Sequence, residues 1–230
     1  MTVNLTEKYN YKSIERKDLD TGRVYVVNGT GLPSVTTILS KTKPLEDKKK
    51  LQEWKDRVGL KEAERISKEA SDVGTIMHNI LENWIFNKEY NPGNNLIHQQ
   101  AKSMAEKIKE NISVNMTEVW GSEVQLYYPD LYAGTADVIG VWKDSPAIMD
   151  FKQANKPKKK EWISDYFLQA AAYSLSHNEL YGTDINQCCI FMCSRNLEFQ
   201  LFEVNGSEFQ YWKKEWANRV DKYYKIHNKG

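Results

Sequence analysis

The chain has 230 residues, enough for one domain with a sizeable core. Lysine plus arginine number 32 and aspartate plus glutamate 31, so net charge selects neither an acidic nor a basic partner, and only local clusters can. No apolar run is long enough to span a bilayer, and the opening MTVNLTEKYN lacks a signal-peptide core; no membrane role is expected, residue 1 reads as a true start, and the expected location is cytoplasmic.

Residues 1–31 read as a short β-rich opening, with RVYVV as a strand and NGTGLP as a turn. Ser34 begins SVTTILSKT, whose hydroxyls suit a helix cap. Residues 46–111 read as helical, with a break at Asn91-Pro92-Gly93. Three strands follow over 117–152: EVWGSEVQLYY, YAGTADVIGVW and PAIMDFK. A helix is expected over 161–180, strands over 187–193 and 197–204, and an amphipathic helix over 207–226. The pattern predicts an α/β (mixed α+β) fold, with a central sheet flanked by helices and a helical N-terminal lobe. One domain is expected over 1–230, with the β opening and helical lobe in 1–115 and the sheet with its flanking helices in 116–230.

Cys188, Cys189 and Cys193 all sit in QCCIFMC, which reads as a buried strand. An odd count argues against a disulfide framework. Core packing is favoured over metal ligation, since free cysteine behaves as a small hydrophobe. An iron–sulfur cluster, which takes four cysteines, is not expected.

The informative stretch is AGTADVIGVWKDSPAIMDFKQ. A turn near Lys143-Asp144 sets Asp137 opposite Asp150, and directly opposed residues have Cβ atoms about 4.5–5.5 Å apart. Lys152 lies two residues beyond Asp150 and shares its face. Opposed carboxylates repel unless a counter-charge sits near them. Mg²⁺, which takes one or two carboxylates plus water and phosphate, would neutralise both. An internal salt-bridge cluster accounts for the same three residues equally well.

Other groups could join them. His78 and Glu82 are four apart on a helix and point the same way; they are candidate metal groups or a plain surface pair. Gln169 and Tyr173 repeat that spacing in LQAAAY. Glu123 approaches Asp137 if the preceding turn falls near Asp130, as an outer carboxylate or a structural one. Ser34, Thr36 and Thr37, with Lys41 and Lys43 close behind, form a hydroxyl-rich helix start that suits a phosphate or merely a cap. Basic clusters lie at 41–50 and 152–160, and Trp54, Trp162 and Tyr166 lie near basic residues as candidate base-stacking groups.

Together, PSVTTIL at 33–39, LQEWKDRVG at 51–59, GTIMHNILE at 74–82, AGTAD at 133–137, MDFK at 149–152 and QAAAY at 169–173 resemble the PD-(D/E)XK nuclease superfamily. The resemblance is to its RecB-like exonuclease branch, specifically the mitochondrial genome maintenance exonuclease family and its phage and bacterial relatives. It implies a restriction-endonuclease-like core with a central mixed sheet. It implies a Mg²⁺- or Mn²⁺-dependent deoxyribonuclease hydrolysing phosphodiester bonds, acting as an exonuclease on single-stranded DNA with free ends, in replication, repair or recombination. Other replication or recombination proteins would be partners, and the location would be host cytoplasm for a phage product. His78, Asp137, Asp150 and the Phe151 carbonyl would hold the metal. Asp137, Asp150, Lys152 and Gln169 would be catalytic, with Lys152 near the phosphate and Gln169 and Tyr173 supporting it and the substrate backbone. Ser34, Thr36, Thr37, Lys41 and Tyr173 would touch DNA, with Glu82 and Glu123 in an outer shell. The second acidic position is Asp150 rather than Glu, and the four cysteines of the iron–sulfur members are absent. An endonuclease on the same core, or a non-catalytic DNA-binding adaptor, is the alternative reading.

Overall fold

The computed structural model describes residues 3–20 and 22–227, so Met1, read as a start, lies outside it. A small antiparallel sheet comes first: β1 (Glu15–Leu19), β2 (Gly22–Val27) and β3 (Thr30–Pro33). The sequence pattern gives β2 but not β1, because every β1 side chain is exposed and leaves no alternation to read. Strand β3 takes up part of the expected turn, pairing Thr30 with Val27.

Helix α1 (Val35–Thr42) starts where expected, with the Ser34 hydroxyl accepting from the Thr37 amide. The helical stretch then divides into α2 (Leu45–Val58), α3 (Leu60–Ile85) and α4 (Leu96–Ile112). The break between α2 and α3 was not anticipated. It falls at Gly59, whose φ of 85° lies in the left-handed region that favours glycine. Gly74 sits inside α3, where the helix passes Gln153.

The main sheet holds β4 (Met116–Tyr128), β5 (Tyr132–Trp142), β6 (Ser145–Ala154), β7 (Gln187–Ser194) and β8 (Phe199–Asn205), in that spatial order. Only β6 and β7 run parallel, which makes the sheet mixed. The β6–β7 crossover carries α5 (Ser164–Tyr181), as a parallel connection requires. Helix α6 (Gly206–His227) closes the described chain.

Helices cover both faces. On one, Ile38 of α1, Phe167 and Ala170–Ala172 of α5, and Phe209 and Trp216 of α6 pack on Val124, Ile139, Ile148 and Ile190. On the other, Met77 and Leu81 of α3 and Met104 and Ile108 of α4 pack on Val138, Met149, Phe151 and Phe191. Each such large apolar side chain contributes about 1.5–3 kcal/mol by leaving water. Because β7 is covered on both sides, all of its residues are buried and it reads as a continuous apolar run. Its thiols are free and split between the two cores, with Cys188 in one and Cys189 and Cys193 in the other.

The N-terminal segment straps the β4 edge. Asn4 and Thr6 exchange backbone hydrogen bonds with Val119, at 2.8 and 2.9 Å. Tyr9 and Tyr11 then pack among Trp120, His177 and Tyr181. A directional chain fixes the histidine. Thr183 donates to Asn178 Oδ1, so its oxygen accepts from His177 Nδ1, 2.8 Å away; His177 Nε2 is left to accept from the Tyr11 hydroxyl at 2.9 Å.

Candidate metal centre

Strand register builds the site. The β5–β6 hairpin turns between Trp142 and Ser145 and pairs Val138 with Met149, so the next rung would set Asp137 against Asp150. The β4–β5 pairs Ser122–Val138 and Val124–Ala136 likewise bracket Glu123 and Asp137. The β4–β5 ladder skips this rung, and the β5–β6 ladder ends just before it. Glu123 has a φ of 51°, a left-handed conformation that a glutamate on a strand holds at a cost of order 1 kcal/mol. On the other side, the Asp137 carboxylate takes the place of a backbone acceptor, with Oδ2 accepting from the Phe151 amide at 2.8 Å.

His78 enters from α3. Its Nε2 lies 2.8 Å from the Phe151 carbonyl, which can only accept, so Nε2 carries a hydrogen. Nδ1 then faces Asp137 Oδ2 at 3.5 Å. In the neutral ring that nitrogen is a lone pair aimed at a carboxylate, an arrangement that calls for a proton or a cation between them. One ligand atom from each of His78, Glu123 and Asp137 lies within 4.8 Å of the other two. Asp150 stands beside this group, 3% exposed, and its Oδ1 has no hydrogen-bond partner among the described residues. A nitrogen-and-oxygen donor set with a spare buried carboxylate oxygen fits a hard divalent ion. Glu123, expected as an outer group, is drawn into the centre.

Asp150 and Lys152 share the α5 face of β6 and form an ion pair. Burial pushes the Asp150 carboxyl up; Lys152 opposes that and Asp137 adds to it. For Lys152 burial works against the charge, but Asp150 and then Asp137 outweigh it and hold the pKa above its ordinary value. Glu123 is exposed as a residue, yet the atoms packed around its carboxylate, and then Asp137, Glu82 and Asp150, push its pKa up to about 7. Glu82, one helical turn beyond His78, therefore belongs to the same field. The Lys152 ammonium sits 5.1 Å from the centre of the Tyr166 ring.

No family model matches the chain. In an alignment of 180 positions that covers 71% of this chain, it is 29% identical to mitochondrial genome maintenance exonuclease 1 of Xenopus tropicalis. The chain spans about half (48%) of that curated relative. A crystal structure of a presumptive exonuclease from Eubacterium rectale superposes with a TM-score of 0.48 at 14% identity, over 67% of this chain and 64% of that one.

The structure places the remaining candidates as follows. Gln169 donates to the Tyr173 hydroxyl at 3.1 Å, and Tyr173 is buried, its ring so close to Gly134 that a Cβ there would lie 2.7 Å away. Tyr173 thus braces Gln169 and β5 from within. Ser34 is also buried; its hydroxyl caps α1 and lies 2.9 and 2.8 Å from those of Thr36 and Thr37. Thr37 in turn exchanges hydrogen bonds with the Arg23 backbone. The Thr37 hydroxyl thus ties α1 to β2, with the Ser34 hydroxyl behind it. Thr36 and Lys41 are exposed and line an open cavity of about 360 Å³ with Arg23 and Asp18. A larger cleft, about 710 Å³, adjoins Glu123 between the N-terminal strap, Phe86 and Trp120. Sequence reasoning missed this cleft, because it depends on the strap lying along β4.

Proposed function

We propose that this protein is a PD-(D/E)XK nuclease, a divalent-metal-dependent DNA exonuclease that hydrolyses phosphodiester bonds in single-stranded DNA with free ends, in replication, repair or recombination. The observation that carries the reading is the convergence of His78, Glu123 and Asp137 within 4.8 Å, next to the buried Asp150–Lys152 pair. The similarity to an exonuclease over 71% of the chain supports it.

His78, Glu123, Asp137 and Asp150 would hold Mg²⁺ or Mn²⁺, with Glu82 behind them. A bound divalent ion lowers the pKa of water and offsets charge on the phosphate. The chain's own residues do the rest. Lys152 keeps its proton because Asp150 and Asp137 hold it there, so it offers a compact positive charge to the scissile phosphate. The Phe151 amide fixes the Asp137 carboxylate. Tyr173 holds Gln169 on the α5 side of the site, and Thr36 and Lys41 would meet the DNA backbone.

Digestion of end-labelled linear and circular single strands with Mg²⁺ or Mn²⁺ tests the proposal. Loss of the linear strand alone is expected. Loss of both would make the protein an endonuclease, and survival of both in either metal would overturn the nuclease reading.

A further inference from the structure

Between β6 and α5 the chain runs Asn155-Lys156-Pro157-Lys158-Lys159-Lys160-Glu161-Trp162. Trp162 is 62% exposed, whereas the other six tryptophans are buried or half-buried. Single exposed aromatics are ordinary, but three features set this one apart. The first is charge: Lys156, Lys158 and Lys159 are exposed and have no acidic partner among the described residues, and the Lys159 ammonium lies 5.4 Å from the centre of the Trp162 ring.

The second is rigidity. Gln200 of β8 bonds Lys158 at both backbone groups, accepting from its amide at 2.8 Å and donating to its carbonyl at 2.9 Å. Lys160 pairs with Glu208 at 2.7 Å, and Ile163, next after Trp162, is buried in the core. A loop anchored this way displays its tryptophan with little ordering entropy left to lose. The third is position. The loop runs directly into α5, whose Tyr166, four residues after Trp162, lies against Lys152 of the candidate centre.

We propose that Trp162 and Lys156, Lys158 and Lys159 form a platform for an unpaired nucleic-acid strand, with one base stacked on the indole and the flanking phosphates on the lysines. The proposal rests on the nuclease reading of the adjoining site. An aromatic face with interleaved cations suits an unpaired strand, because every base has a π-face while a duplex hides its own.

The test is binding without cleavage: anisotropy of fluorescein-labelled dT20 in EDTA over a salt series. Trp162→Ala should bind about tenfold more weakly, with an unchanged salt slope, and Trp162→Phe should recover most of the loss. The variant K156Q/K158Q/K159Q should flatten the slope by about 2, at ~0.7 per phosphate contact on a single strand. An all-abasic 20-mer should bind wild type and Trp162→Ala alike. Equal binding of dT20 by wild type and Trp162→Ala, or equal loss on dT20, abasic strand and duplex, would overturn the platform. The two readings fail separately. A wild type that binds dT20 through Trp162 but never cuts it removes the nuclease reading alone. Cleavage by a Trp162→Ala enzyme with unimpaired dT20 affinity removes the platform alone.

Discussion

His177 offers a sharp energetic test, because it latches the N-terminal strap that walls the cleft beside Glu123. Its ring is fully buried, with Nε2 accepting from Tyr11 and Nδ1 donating to Thr183. A second proton would meet the Tyr11 hydroxyl hydrogen, and burial lowers the pKa from 6.5 to about 4. Between those values the unfolded chain binds a proton at this residue and the folded chain does not, so stability falls on acidification. From pH 7 to pH 5 the loss is about 2 kcal/mol, from the ratio of the two binding polynomials. For a chain of this size that lowers the melting temperature by about 4–8 °C. Carboxylates titrate in the same range, so the assay is a difference. Thermal melts of wild type and His177→Gln are compared from pH 5 to 8, since glutamine retains a donor for Thr183 and an acceptor for Tyr11 but cannot titrate. The stability gap between them should change by about 2 kcal/mol in favour of the variant as pH falls to 5. A gap constant to within about 0.5 kcal/mol, well below that, would mean that His177 is not held neutral by its surroundings.

Asp150→Ala and Lys152→Ala should each lower cleavage at least a hundredfold while strand binding in EDTA stays near wild type, because the platform is untouched; wild-type cleavage by either variant would remove them from the mechanism. Mn²⁺ should raise the wild-type melting temperature by about 2–4 °C for each kcal/mol of binding. The rise should shrink in Glu123→Gln and in His78→Ala, and an undiminished rise in both would put the ion elsewhere. Asp137→Ala leaves the buried Phe151 amide without its acceptor and should cost about 1–3 kcal/mol. Asp137→Asn keeps an acceptor oxygen, so denaturant titration should find it nearer wild type although its response to Mn²⁺ is reduced; equal destabilisation would deny the amide contact its structural part.

The meander and its consequences were readable because turn positions fix strand register. Lys143-Asp144 set Asp137 against Asp150, and the turn about Asp130 set Glu123 against Asp137. The sequence could not show which of the three would face a common ion. Glu123 reaches His78 and Asp137 through a left-handed backbone that no residue pattern announces, and Asp150 is paired with Lys152. The α1 hydroxyls were ambiguous for a similar reason. Serine and threonine at a helix start serve a phosphate or their own backbone, and only the placement of Arg23 against Thr37 decides for the backbone in Ser34 and Thr37. Strand β1 and the strap escaped notice because they lie on outer edges, where burial imposes little alternation.

Charge around the centre explains why a cation and a strand would arrive in order. Glu82, Glu123, Asp137 and Asp150 face one lysine, Lys152, which leaves a net charge of −3 if all are ionised (−4 and +1). Glu123, pushed up to about 7, and Asp150, also pushed up, make the count smaller near neutrality, but the centre keeps a negative charge that repels a phosphodiester. His78, Glu123, Asp137 and Asp150 would hold a divalent ion that would offset most of that charge and leave Lys152 to meet the phosphate. Without the ion, the exposed lysines of 156–159 are the nearest welcoming cations along the chain. A strand bound in EDTA should therefore rest on the Trp162 loop and stay clear of the carboxylates. Its affinity would then respond to changes at Trp162 and hardly at all to Asp150→Ala.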